Sequence, residues 1–148
     1  MTRPFPLQSL LDLSQLRLDE AGRKLGELIA GEQEASRRHA LLVQYREEYR
    51  ARFVAAAQEG LSPGEWRNYT RFIARLDDAI AQADSAMTHT KERTVAGKQE
   101  WVSKRGRVKA FGTLSDRHQA RVDYQDQRQE QKVSDELGAR RHQEKPKD

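Results

Sequence analysis

The stretch EGLSPGEW, Glu59–Trp66, is the only place in mid-chain where glycine and proline cluster. The other prolines are Pro4 and Pro6 at the start and Pro146 at the end. Proline removes a backbone donor and collides with the preceding turn, so helix interiors exclude it. Between Leu7 and Glu59, and between Glu65 and about Leu137, nothing forces a break. The stretch itself carries the marks of one helix ending and another beginning. Gly60 suits the left-handed conformation that closes a helix. Ser62 suits an N-cap, Pro63 the first helical position, and Glu65 completes a capping box. The chain therefore reads as all-α: a long antiparallel two-helix coiled coil, or αα-hairpin, with an overhanging C-terminal helix. Residues 1–148 form a single coiled-coil hairpin on this reading. Helix one is expected over about 6–58, the turn over about 59–64, helix two over about 65–138, and a frayed tail over 139–148. The helices would be about 80 Å and about 110 Å long at 1.5 Å per residue.

Apolar spacing agrees. Steps of seven from Leu7 give Ser14, Ala21, Leu28, Ala35, Leu42, Tyr49 and Ala56. The companion positions are Leu11, Leu18, Leu25, Glu32, His39, Arg46 and Phe53. The second half runs Tyr69, Ile73, Leu76, Ile80, Ala83, Met87, Thr90, Thr94, Gly97, Trp101, Lys104, Val108 and Phe111. Alternating steps of three and four are the pattern of a left-handed coiled coil. Folding at the turn predicts facing residues whose numbers sum to about 122. Phe53 then meets Tyr69, Leu25 meets Gly97, Ala21 meets Trp101 and Leu11 meets Phe111, with large residues often opposing small ones. Glu32, His39, Arg46 and Lys104 are polar seam members that fix register and weaken the seam. Past about Ser115 the second helix is expected to have no partner in the chain and to fray after Gly138.

Composition fits narrow seams better than a thick core. Of the 148 residues 34% are charged and 36% hydrophobic, and mean hydropathy is −0.98. Cysteine is absent, which excludes disulfides and cysteine metal sites. No apolar run approaches a membrane span or the apolar core of a signal peptide. The net charge of +4 comes from 27 basic and 23 acidic residues, interspersed as on a solvated helical surface.

Catalysis is disfavoured. His39, His89, His118 and His142 have no second ligand at metal spacing, no phosphate loop is present, and a two-helix rod offers no concave pocket. Two basic clusters remain: the row Arg67, Arg71, Arg75 and the run KRGRVK, Lys104–Lys109. Phosphate contact is one reading. A solvated flank balanced by Asp77, Asp78, Glu47 and Glu48 is the preferred one, and it leaves an acidic protein partner open. Six aromatics, Tyr45, Tyr49, Phe53, Trp66, Tyr69 and Phe72, crowd the turn. The seam absorbs Tyr49, Phe53 and Tyr69. It does not absorb Tyr45, Phe72 or Ala79, which fall on g positions, side by side in an antiparallel pair. With Leu42, Tyr49 and Leu76 they make an apolar strip. The strip reads either as a locally wider core or as a docking site with aromatic hot spots.

The blocks LQSLLDLSQLRLDEAGRKLGEL, YREEYRARF, WRNYTRFIARLDDAI, the lone Trp101, TLSDR and QEQKVSDE resemble the flagellar FliJ family over nearly the whole chain. The resemblance implies a small cytoplasmic, non-enzymatic component of the flagellar type III protein export apparatus. It implies an antiparallel coiled coil similar to the central stalk of rotary ATPases, peripherally associated with the inner membrane at the flagellar base. The implied partners are the export ATPase hexamer, whose assembly and activity it promotes, the export-gate membrane protein FlhA, and export chaperones. No cofactor, small-molecule substrate or nucleic acid is implied. The family's gate-binding patch maps onto Leu42, Tyr45, Tyr49, Phe72, Leu76 and Ala79. At its edge Arg38 stands where the family pattern has Gln, and Ala83 where it has His. A generic coiled-coil secretion chaperone, or the stalk protein of a virulence-type secretion system, is the alternative reading.

Overall fold

In a computed structural model, which describes residues 3–144, the chain is two α-helices with no strand among the described residues. Helix α1 is Gln8–Glu59 and helix α2 is Pro63–Glu144, and they pack antiparallel. The turn is built as its residues dictate. Gly60 takes φ 101°, the one positive φ among the described residues, and its N–H donates to Ala57 O at 3.3 Å. The Glu65 N–H donates to Ser62 Oγ at 3.2 Å, and the Trp66 N–H to Ser62 O at 2.9 Å. The Glu65 bond satisfies a donor that the first turn of α2 would otherwise leave orphaned, and the Trp66 bond is the first i→i−4 bond of the helix.

The residues pack as two units. One, Asp19–Val102, contains the turn; the other joins the residues up to Leu18 to those from Ser103 onward. In the turn unit the facing pairs follow the expected register. The Phe53 and Tyr69 rings lie 5.4 Å apart, and the Thr94 hydroxyl reaches Leu28 O at 3.3 Å. Gly97 passes so close to α1 that a Cβ there would stand 2.5 Å from Leu28 Cδ1. Among the described residues only four hydrophobic ones are buried, Ala21, Leu76, Ala83 and Val122, so apolar packing there is confined to seams. Each seam position named from the sequence is buried or half-buried, the polar ones included.

Two expectations are corrected. Helix α2 does not fray after Gly138 but continues to Glu144; the tail expected over 139–148 is helical as far as it is described, and residues 145–148 lie outside the described residues. Gly138 lowers helix propensity by about 1 kcal/mol but breaks nothing, and the Glu136–Arg140 spacing supports the turn around it. Nor does α2 lose its partner at Ser115. Ser115 and His118 are half-buried, and Val122 is the most buried hydrophobic residue among those described, at 4% exposure. The segment ahead of α1 runs along this stretch of α2. Phe5 packs on the His118 ring at 5.7 Å, His118 Nε2 lies 3.1 Å from Arg3 O, and Arg3 donates to Gln125 Oε1 at 2.6 Å. Non-helical chain advances roughly 3.3 Å per residue against 1.5 Å in a helix, so a few residues before α1 reach two further turns of α2.

Candidate docking site

Within the turn unit, α1 supplies Leu42, Tyr45 and Tyr49, and α2 supplies Phe72, Leu76 and Ala79. Helical steps of three and four put each trio on one face. The rings form a continuous set. Tyr49 meets Phe72 at 4.3 Å and Tyr69 at 5.4 Å, while Tyr45 meets Phe72 edge-on at 6.3 Å. Toward the turn, Phe53 continues the set to Trp66 at 5.0 Å. Such pairs contribute roughly 0.5–1.5 kcal/mol beyond the area they bury.

The six residues are not equivalent. Leu76 is buried, and Leu42, Tyr49, Phe72 and Ala79 are half-buried. Tyr45 alone of the six is exposed, at 45%. Phe72 leans on Tyr49 and so belongs partly to the packing of the hairpin. Tyr45 rests one edge on Phe72 and turns the remainder of its ring to solvent.

Leu42 and Ala79 also line a groove of about 480 Å³ with Gly31, Ala35, Arg38 and Ala83. Sequence reasoning missed this groove. Its signal is a run of small residues on both helices: Gly31 and Ala35 on one, Ala79, Ala83 and Ala86 on the other. Arg38 and Ala83 line the same groove, a long cation beside a buried methyl.

Charge lies beside this aromatic set. Arg46 Nε donates to Asp77 Oδ1 across the helices, and Arg46 also lies 3.4 Å from Glu47. The hydrogen bond to Asp77, with its charge, pushes the Arg46 pKa above its ordinary value. One step further from the turn, His39 Nε2 lies 3.9 Å from Asp84. Both pairs sum to 123 and so mark the register that the apolar residues set. Among the described residues no group of three or more His, Asp or Glu is placed to hold a metal ion. None of the described helices is long and apolar enough to cross a membrane.

The comparisons with known proteins agree with one another. A family model described as the flagellar FliJ protein matches residues 3–147. The flagellar FliJ protein of Salmonella typhi is 33% identical over 146 residues, covering 99% of each chain. That of Escherichia coli (strain K12) is 30% identical over 140 residues, 95% of each chain. With the match spanning residues 3–147 and the relatives aligned over nearly their whole length, the chain belongs to the flagellar FliJ family, a component of flagellar protein export.

Proposed function

We propose that this chain is a non-enzymatic link in flagellar export. Its turn-proximal strip docks the export-gate membrane protein FlhA. Its open end, where α1 begins and α2 continues beyond it, engages the export ATPase hexamer and promotes assembly and activity of the ring. Export chaperones are carried by the same chain, which works at the cytoplasmic face of the inner membrane at the flagellar base. Gate binding holds it there.

One observation carries the reading. Tyr45 is a large amphipathic ring left exposed off the seam, in contact with an ordered aromatic set. Nothing in the packing of the two helices requires its outer face, and exposed aromatic anchors with a supported base are what interface hot spots use. Arg38 and Ala83 border the groove next to it, so their departure from the family pattern bears on which gate sequence fits.

The test is binding of the purified cytoplasmic part of the gate to Tyr45→Ala, with melting and ATPase stimulation measured on the same protein. Tyr45→Ala should weaken gate binding by about 30-fold or more, equivalent to ~2 kcal/mol. Melting and ATPase stimulation should stay at the parent level. Gate binding that survives in a well-folded Tyr45→Ala protein refutes the docking strip.

A further inference from the structure

In the unit that holds the chain termini, a second apolar depression of about 340 Å³ lies between the start of α1 and the middle of α2. Leu10 and Leu13 form one wall, Ala110 and Phe111 the other. Leu10 and Leu13 remain 46% and 42% exposed, and Leu114, one turn on from Ala110, is 39% exposed. The polar floor is already satisfied, since the buried Ser14 hydroxyl donates to Leu11 O at 2.8 Å. Leu10, Leu13 and Leu114 thus present apolar surface that the seam does not cover.

Its rim is cationic. Arg17, Lys104 and Arg107 line one end. Arg117 and Arg121 follow Leu114 at helical steps of three and seven, which puts them on the same face beyond its other end. Residues 101–115 contain four basic residues and no carboxylate, and Asp12 is the only acid before Asp19. An apolar centre with cations at both ends discriminates strongly. A basic partner would set like charges against the rim, and a purely polar one would leave the leucines in water.

We infer that this depression docks an acidic amphipathic helix of a partner protein, with apolar side chains in the trough and carboxylates over Arg17, Arg107 and Arg117. Helix-in-groove docking uses anchors at i, i+3, i+4 and i+7, and two antiparallel helices supply a trough of the matching direction. An extended polyanion matches less well, because its charge repeats along its length while here the cations flank leucines. The inference rests on the open end being an interface and on nothing about the gate. It gives the exposed Arg107 a role at the rim of the depression.

The experiment uses the full chain and a labelled helical peptide of about 18 residues, with leucines on one face and glutamates at both ends. Controls are the same peptide with lysine for glutamate, the same with serine for leucine, anionic phosphatidylserine vesicles, and a DNA duplex. Expected is saturable binding of the acidic peptide that weakens with salt and drops about tenfold or more in Leu13→Asp/Leu114→Asp and in Arg107→Glu. Helicity and melting are checked for each; Arg107 is exposed, so Arg107→Glu keeps the test valid if the double variant misfolds. Absence of acidic-peptide binding overturns the inference. So does equal binding of the lysine or serine peptide, binding indifferent to these variants, or capture of vesicles or duplex through these residues without the peptide. The probe contains neither ring nor gate, so a negative result leaves the strip beside the turn untouched.

Discussion

Gly97 is where the seam is tightest, and its replacement separates two effects that usually cancel unseen. In an open helix, Gly→Ala stabilises by about 1 kcal/mol because the chain loses less freedom on folding. Gly26 meets that condition, with nothing within 4 Å of an added Cβ. Gly97 does not, since the new Cβ would stand 2.5 Å from Leu28 Cδ1 and 3.7 Å from Leu25 Cδ1. The Leu28 tip has to turn out of its well, at roughly 0.5–1.5 kcal/mol. Gly26→Ala should therefore raise the melting temperature by about 2–4 °C, and Gly97→Ala should leave it nearly unchanged. Gly97→Val adds branches the seam cannot take and should destabilise by about 1–3 kcal/mol. The decisive measurement is a double-mutant cycle by urea unfolding. In a Leu28→Ala background the obstruction is gone, and Gly97→Ala should regain about 1 kcal/mol, a coupling typical of residues in contact. If Gly97→Ala stabilises as much as Gly26→Ala in both backgrounds, the helices do not approach as closely as this seam requires.

Three further outcomes follow from the turn, the cross-helix charge and the terminal unit. Ser62→Ala removes the acceptor for the Glu65 N–H and should lower unfolding free energy by about 1 kcal/mol; Gly60→Ala puts a side chain at φ 101° and should lower it by roughly 1–2 kcal/mol, both read from chemical denaturation. Asp77→Asn removes the carboxylate that binds Arg46; melting should fall slightly in dilute buffer, and the difference should vanish in molar salt, whereas a salt-independent loss would show that packing had been damaged instead. Truncation after Gln129 should leave melting at the full-length value, because it spares His118, Val122 and Gln125. Truncation after Leu114 removes all three and should destabilise by about 2 kcal/mol from Val122 alone, so equal melting of the two truncations would show that the segment ahead of α1 contributes no packing.

The seam was legible because its phase is fixed many times over. Leucines at 7, 11, 18, 25, 28 and 42 determine where position 32, 39 or 46 must fall, so even Glu32, His39 and Arg46 were placed correctly. The Arg46–Asp77 pair was recoverable by the same rule, since its sum of 123 differs by one from the apolar register. The segment before α1 was not legible for the opposite reason. Pro4 and Pro6 mark where a helix cannot run, but a non-helical segment has no period, and nothing in Arg3–Pro6 announces that it lies along α2. Its only trace was Val122, an apolar residue at seam spacing after Ser115 and His118, which polar neighbours obscured. The groove of Gly31, Ala35, Ala79 and Ala83 was hidden because missing volume leaves no apolar signal. The strip was legible as an excess of aromatics, yet not in its exposure. Tyr45 and Phe72 occupy equivalent positions on their helices, and the pattern treats them alike. Tyr49 breaks the tie: its ring lies 4.3 Å from Phe72 and draws that side chain inward, which leaves Tyr45 outermost. A substitution at 72 therefore disturbs packing and surface together, and one at 45 reports on the surface alone.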